Sequence, residues 1–98
     1  MITHIVLLKY KAGLSLEDIK ASCELMRSMQ HIPVVKNVWV NEAIASEKAV
    51  YQSVMRVEFE SEADHAAYLE HPKARAMFKK HDEEYLTSVA DLAVITYK

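Results

Sequence analysis

Alternating hydrophobic and polar positions predict four β-strands along the chain. The predicted strands cover residues 2–11, 34–42, 50–60 and 92–97. Successive side chains of a strand point to opposite faces, so the first strand places Val6 and Leu8 on one face and Ile5 and Leu7 on the other. A strand with two apolar faces is covered on both sides in the folded protein.

Apolar residues at helical spacing, each run preceded by a cap, predict the helices. Ser15 and Ser61 are each followed three residues later by an aspartate, a pattern typical of helix starts. The first helix is expected to run to about residue 30. The second stops near His71, because Pro72 disfavours helical geometry in the residue before it. Pro72 is well placed to begin a third helix, so the predicted order is β-α-β-β-α-α-β.

This order predicts an α+β fold of the ferredoxin-like type, a four-stranded antiparallel sheet with helices on one face. The alternation leaves Ile5, Leu7 and Val54 on the face that no helix covers. Each apolar side chain left in water forgoes roughly 1.5–3 kcal/mol of burial, so this face predicts a partner surface. A homodimer packed sheet against sheet covers it. In the alternative, sheet twist and the chain ends cover the face within a monomer.

Composition limits the class of protein. The 98 residues, 51% hydrophobic and 27% charged, predict one globular domain over residues 1–98. A net charge of −2 gives no electrostatic reason to expect nucleic acid or an anionic membrane as a partner. Cys23 has no second cysteine to pair with, and the first residues lack the basic leader of a signal peptide. We therefore expect a cytoplasmic protein.

Sequence motifs for cofactors and metals are missing. Gly13 is the single glycine, so a glycine-rich phosphate loop is excluded. The five histidines include no pair at tight ligand spacing, and there is no cysteine pair. We therefore expect neither a cofactor nor a metal site.

The segment around Tyr68 and two histidines elsewhere carry the candidate chemistry. Tyr68 either donates its phenolic proton to a substrate or serves as an aromatic core residue. His71 either belongs to a binding pocket or satisfies backbone amides at the next helix start, and we favour the second role. His4 and His81, on buried faces of the first strand and third helix, are candidate acids or bases because imidazole titrates near neutral pH. The alternative for both is a hydrogen-bonded core histidine.

Four segments resemble one known family. They read HIVLLKYK at 4–11, IPVVKNV at 32–38, YQSVMRVEFES at 51–61 and YLEHPKA at 68–74. Together they resemble the Dabb family, the stress-responsive dimeric α/β-barrel domain, over nearly the whole chain. The resemblance implies a ferredoxin-like unit that pairs through its sheet into a dimeric α/β barrel.

The resemblance also implies a pocket between sheet and helices. A plant polyketide cyclase of this family works there without a cofactor, using a tyrosine and a histidine. By position the tyrosine falls on Tyr68, while the catalytic histidine and a further pocket histidine fall on Ala74 and Ser53. The motif histidine is kept at His71 and the first-strand histidine at His4. An alanine cannot take a proton, so the cyclase mechanism does not transfer intact.

Two functions follow as hypotheses. The first is a dimeric Dabb-type barrel that binds a small apolar molecule between sheet and helices, or serves as a stress-linked protein, without catalysis. Its predicted binding residues are Ser53, Met55, His71, Val6, Leu8 and Met26. The second is a cofactor-independent enzyme, polyketide cyclase-like or monooxygenase-like, that acts on a carbonyl substrate. In it Tyr68 is the proton donor and His4 or His81 the base.

Overall fold

The order of strands and helices predicted from the sequence is confirmed. The computed structural model describes the backbone of residues 1–98 and every side chain except that of Val89. The elements are β1 (Ile2–Leu8), α1 (Leu16–Arg27), β2 (Asn37–Glu42), β3 (Ser53–Phe59), α2 (Glu62–Glu70), α3 (Pro72–Lys80) and β4 (Leu92–Tyr97). A 3₁₀ turn over Ser28–His31 extends α1, and a π-helical turn over His81–Tyr85 extends α3.

The strands form one antiparallel sheet in the order β2-β3-β1-β4. β1 pairs with β3 on one side, where Val6 is opposite Met55, and with β4 on the other, where Val6 is opposite Val94. β2 and β4 are therefore the edge strands. With its helices on one face, this sheet has the ferredoxin-like α+β fold that the sequence predicts.

Side-chain caps begin the first two helices at the predicted serines. Ser15 Oγ accepts a hydrogen bond from the Asp18 amide at 3.1 Å, and the Asp18 carboxylate accepts one from the Ser15 amide at 3.0 Å. Ser61 Oγ accepts a hydrogen bond from the Asp64 amide at 3.2 Å. Such a cap is worth about 1 kcal/mol of helix stability. Within the described residues, no helix has the length and apolarity needed to cross a membrane.

The first strand is shorter than its hydrophobic pattern predicts. β1 ends at Leu8 instead of residue 11, because the amides beyond it leave the ladder. The Lys9 amide donates to the Asp91 carbonyl at 2.9 Å and the Lys11 amide to the Tyr85 carbonyl at 2.9 Å. The chain thus turns across the end of the sheet.

Three further boundaries also differ from the prediction. β2 begins at Asn37, because the Val35 amide donates to the Ile32 carbonyl at 3.0 Å and closes a turn there. β3 begins at Ser53, where its pairing with the end of β2 begins. α1 ends at Arg27, and the next residues continue as the 3₁₀ turn.

The two faces of the sheet differ in their cover. Side chains buried under the helices include Ser53, Met55, Val57 and Phe59 of β3. On the opposite face, exposed apolar side chains are Trp39 (38%), Ile95 (58%) and Tyr97 (47%). Half-buried on that face are Ile5, Leu7 and Val54. We call this surface the bare sheet face.

Candidate functional site

A cavity of about 400 Å³ lies between the sheet and the helices. Most of its sheet side is formed by β1 and β4, where Val6 pairs with Val94 and Leu8 with Leu92. The remaining apolar lining consists of Met26, Met55, Leu69, Met77 and Phe78. Its volume lies within the range of about 300–1,000 Å³ that ligand pockets occupy.

Most of the predicted site residues meet at this cavity. Those that line it are His4, Val6, Leu8, Met26, Met55 and His81. Those that lie outside its lining are Ser53, Tyr68 and His71. The hydrogen bonds of each polar residue explain its place.

Both ring nitrogens of His81 are engaged by the protein. Nδ1 lies 2.9 Å from the Met77 carbonyl, and Nε2 lies 2.8 Å from Ser22 Oγ. A carbonyl only accepts, so Nδ1 donates and Nε2 of the neutral ring accepts from the Ser22 hydroxyl. Burial lowers the pKa of His81, which favours this neutral ring. The ring has no nitrogen left for a ligand while both bonds hold.

Ser53 belongs to the same network and not to the cavity lining. The Tyr10 hydroxyl donates to Ser53 Oγ at 2.9 Å and lies 2.9 Å from Ser22 Oγ. Burial raises the pKa of Tyr10, so its phenol stays protonated. We call Tyr10, Ser22, Ser53 and His81 the closed network. It lies at one end of the cavity, because Ser53 pairs with Leu8 in the sheet.

His4 and His65 lie toward the other end of the cavity, with ring centroids 5.0 Å apart. His4 Nδ1 lies 2.7 Å from Thr96 Oγ1, which leaves Nε2 as the nitrogen that can meet a ligand. Burial and, second, charge repulsion from His65 lower the pKa of His4 to about 4. Its ring is therefore neutral near pH 7. We call these two residues the histidine pair.

His65 contributes an unsatisfied polar atom to this region. Its Nε2 is buried and has no hydrogen-bond partner among the described residues. Leaving a buried polar group unpaired costs about 1–3 kcal/mol. Burial also lowers the pKa of His65. The histidine pair is thus uncharged near neutral pH and incompletely hydrogen-bonded.

Tyr68 packs beside the histidine pair as a core residue. It is 1% exposed, and its ring centroid lies 6.3 Å from that of His4 and 5.2 Å from that of Phe59. Burial raises the pKa of Tyr68 above its ordinary value, so the phenol remains protonated. The hydroxyl can donate a proton, but in this structure the side chain does not line the cavity.

His71 caps the third helix. Its Nδ1 accepts a hydrogen bond from the Lys73 amide at 3.1 Å, and α3 begins at Pro72, the residue directly after His71. The favoured capping role is confirmed, and this bond holds the ring outside the cavity lining. Ala74, which stands where the resemblance expects a catalytic histidine, is buried in the same helix.

Sequence reasoning missed His65 and Thr96. His65 lies three residues before Tyr68 and four before Leu69, and this spacing places it on the same face of α2. Alternation along β4 from Leu92 places Thr96 on the cavity face of the sheet. Both signals were present in the sequence, but the closeness of His65 to His4 depends on how α2 packs.

Metal-ligating side chains do not form a cluster in the described part of the chain. No group of three His, Cys, Asp or Glu side chains could hold a metal ion there. Cys23 is buried, with its Sγ 3.7 Å from Ser53 Oγ.

Comparison with known proteins assigns the family. The family model of Dabb, the Stress responsive A/B Barrel Domain, matches residues 2–95. The chain belongs to the Dabb family. No curated protein matches this Dabb domain at a significant level.

Solved structures share the fold of this Dabb domain at low sequence identity. A protein from Arabidopsis thaliana matches with a TM-score of 0.85 and 22% identity, over 100% of this chain and 94% of that one. A dimeric ferredoxin-like protein of unknown function from Thermobifida fusca has a TM-score of 0.83 and 18% identity, over 98% and 88%. Hydroxynitrile lyase from Passiflora edulis has a TM-score of 0.83 and 21% identity, over 98% and 90%. At these identities the likeness establishes the fold alone.

Proposed function

We propose that this Dabb domain binds a small apolar molecule in the cavity between its sheet and helices. The observation that carries the proposal is a cavity of about 400 Å³ whose lining is mainly aliphatic, methionine and aromatic. Val94 lines it and is 56% exposed, so the cavity opens beside β4. A ligand that enters there removes this apolar surface from water, which is the main driving force for its binding.

Filling the opening tests this proposal. Val94→Trp places a large ring at the mouth, and Val50→Trp is the matched control because Val50 is 57% exposed and lies outside this lining. Binding is measured with an environment-sensitive apolar dye, alongside native mass spectrometry of freshly purified protein to detect a retained molecule. We expect Val94→Trp to abolish dye binding and Val50→Trp to retain it. Equal binding by both variants would contradict the cavity as the site.

We also propose that the bare sheet face forms a homodimer. Its exposed apolar side chains support this, because several large groups on one patch typically mark a partner surface. The Arg56 guanidinium lies 4.0 Å from the centre of the Trp39 ring on this face, so its positive charge makes a cation–π contact with that ring. The Thermobifida fusca neighbour is described as dimeric. A second copy packed against the same face completes a dimeric α/β barrel.

A charge placed on the bare sheet face tests the dimer. Ile95→Lys would bury an unpaired ammonium in the interface, which costs several kcal/mol. We expect it to give a monomer by size-exclusion chromatography with light scattering. Val50→Lys, on an exposed connection, should keep the wild-type mass. A dimer that persists with Ile95→Lys would place the interface elsewhere.

A second candidate function is a cofactor-independent enzyme that acts on a carbonyl substrate, cyclase-like or monooxygenase-like. The placing of Tyr68 beside His4 favours it, because their ring centroids lie 6.3 Å apart and His4 lines the cavity. Burial raises the pKa of the phenol and lowers that of the imidazole, which fixes their protonation states but makes the phenol a weaker acid and the imidazole a weaker base. Near neutral pH, Tyr68 then carries a proton to donate. His4 Nε2 can accept a proton in the tautomer whose Nδ1 donates to Thr96 Oγ1. His81 serves as the base only after its bond to Ser22 breaks. The hydroxynitrile lyase neighbour is an enzyme of the same fold.

The enzyme candidate is tested on a panel of aldehydes, ketones and cyanohydrins. Any turnover should fall by about 10²-fold or more in Tyr68→Phe if the phenol is the proton donor. The control Tyr51→Phe removes a hydroxyl outside the cavity and should leave turnover unchanged. Circular dichroism checks that the fold is kept. Undiminished turnover in Tyr68→Phe would remove this role.

Finally, we propose that residues 1–98 act as one domain of a stress-linked cytoplasmic protein. The thiol of Cys23 is free and buried, so the fold needs no oxidising compartment. The net charge of −2 favours neither nucleic acid nor an anionic membrane as a partner. Fractionation of cells that express the tagged full chain tests the location, and recovery in a membrane or secreted fraction would contradict it.

A further inference from the structure

We propose that the ligand of this cavity is an amphipathic weak acid, a carboxylic acid whose head group lies against the histidine pair and whose apolar tail extends toward Leu8. The inference rests on the proposed binding function and deepens it. It assigns His65 and Thr96 to the site, names the chemical class of the ligand and gives its direction in the cavity.

The sheet side of the cavity changes from polar to apolar along its length. The register pairs His4 with Thr96, Val6 with Val94 and Leu8 with Leu92, and all of these side chains line the cavity. Four residues of strand separate the first pair from the last, about 13 Å at 3.3 Å per residue. The strands therefore offer a polar side chain to the ligand only at one end.

The two ends also differ in the nitrogens that they offer. At the apolar end both nitrogens of His81 are held by Met77 and Ser22, so that ring presents only carbon surface to a ligand. At the polar end Thr96 engages only Nδ1 of His4. The head group of the ligand is therefore placed by His4 Nε2, with His65 as its neighbour.

The spacing of the histidine pair favours a carboxyl group over an alcohol or an aldehyde. The ring centroids are 5.0 Å apart, and a carboxyl group has two oxygens with which to meet two imidazoles. An alcohol or an aldehyde has only one. Neither lysine nor arginine occurs among the described lining residues. A ligand that is always negatively charged would thus have no positively charged side chain to pair with in the cavity. A weak acid can instead enter in its neutral form and share its proton with the histidine pair.

The charged side chains near the histidine pair are Glu62, Lys98 and Asp82. None of them supplies a positive charge inside the cavity, so the proton shared with the pair balances the charge of the carboxylate. Glu62, one helical turn before His65, forms an ion pair with Lys98 at 3.7 Å, and both lie beside His65 at the end of the sheet. Asp82 lines the cavity from the end of α3. Tyr68, packed against His4, stays neutral. Lys98 is exposed and lies outside the cavity lining, so a carboxylate inside the cavity takes its counter-charge from a proton on an imidazole.

Calorimetry with a matched set of probes tests the proposal on the full chain. Octanoate, 1-octanol and octylammonium share a tail and differ only in the head group. Titrations in buffers of different ionisation heat count the protons taken up. We expect octanoate to bind with proton uptake, and its affinity to rise by up to about tenfold per pH unit as the pH falls from 8 toward 6. Octanol should bind more weakly and without pH dependence.

Three variants test whether the histidine pair causes the preference for octanoate over octanol. His65→Leu should remove most of the preference for octanoate over octanol while leaving octanol binding intact. His31→Leu is the matched control, because His31 is exposed and lies outside the cavity. Thr96→Val, at an exposed position, removes the partner of His4 Nδ1 and should weaken octanoate selectively. It provides the same readout should His65→Leu fail to fold.

Each result separates this inference from the proposed function. Octanol binding as tightly as octanoate, or octylammonium binding best, would overturn the weak acid and leave the apolar cavity in place. Octanoate binding that His65→Leu and Thr96→Val leave unchanged would overturn the assignment of its head group. Binding of none of the three probes would overturn both the ligand class and the binding function.

Discussion

The closed network and the histidine pair lie toward opposite ends of one cavity and use the same side chain in different ways. In the closed network, the His81 imidazole is bonded at both nitrogens, to Met77 and Ser22. In the histidine pair, His4 is bonded through Nδ1, and His65 Nε2 is buried without a partner among the described residues. His81 and His4 are buried and His65 is half-buried, and burial lowers the pKa of all three rings, which favours their neutral form.

The difference is instructive because buried polar groups are almost always hydrogen-bonded. A satisfied network fixes its members and holds the surrounding core in one arrangement. A buried group without a partner leaves its region less completely fixed by the fold. We infer that the closed network serves the fold, whereas the histidine pair serves the ligand.

The largest expected effect is acid destabilisation through His4. Its pKa is about 4 in the folded protein against an ordinary value of 6.5, so the unfolded chain takes up the proton first. The stability that His4 contributes above pH 6.5 is lost as the pH falls through this window, about 3 kcal/mol in total by pH 4. Urea unfolding across this range measures it.

A variant separates the contribution of His4 to the pH dependence of stability from the contributions of the other titrating groups. His4→Leu should lose much less stability than the wild type over the same pH window, while His31→Leu should follow the wild type. Parallel pH dependences for His4→Leu and the wild type would show that His4 is not held neutral by the fold.

The next largest effect on stability is expected from removing the Tyr10 hydroxyl, the central group of the closed network. Tyr10→Phe removes the hydroxyl that contacts both Ser22 and Ser53. Because it leaves buried hydroxyls with fewer partners, we expect the free energy of unfolding to fall by about 1–3 kcal/mol. Urea denaturation measures the change, and Tyr51→Phe is the control. A Tyr10→Phe protein as stable as the wild type would mean that the network does not support the fold.

The smallest effect is expected at the histidine pair, and it has the opposite sign. His65→Leu removes a buried nitrogen that has no partner and a repulsion that lowers the pKa of His4. We expect the free energy of unfolding to stay the same or rise by about 1 kcal/mol. The measurement is the same urea titration without ligand. A clear loss of stability would place His65 among the residues that support the fold.

Local signals made the fold and part of the site predictable from the sequence. Alternation in β1 and β3 assigned the two faces of the sheet, since it follows from backbone geometry alone. The caps at Ser15 and Ser61 and the role of His71 depend on residues two or three positions away. Such contacts can be inferred from spacing.

Long-range packing decided what the sequence could not predict. Tyr10 follows the alternation of β1, yet its hydroxyl reaches Ser22 and Ser53 because the chain turns after Leu8. That contact engages Ser53, which the family resemblance had assigned to the cavity. The approach of His65 to His4 likewise depends on how α2 packs on the sheet, which no local pattern specifies.

Nitrogen-15 NMR of the histidine side chains, recorded while octanoate is added near pH 6.5, tests the central claim most directly. We expect the imidazole signals of His4 and His65 to shift toward the protonated form as octanoate binds, while those of His81 keep their positions. Octanoate binding that shifts His81 and leaves His4 and His65 unchanged would contradict the division between a region for the fold and a region for the ligand.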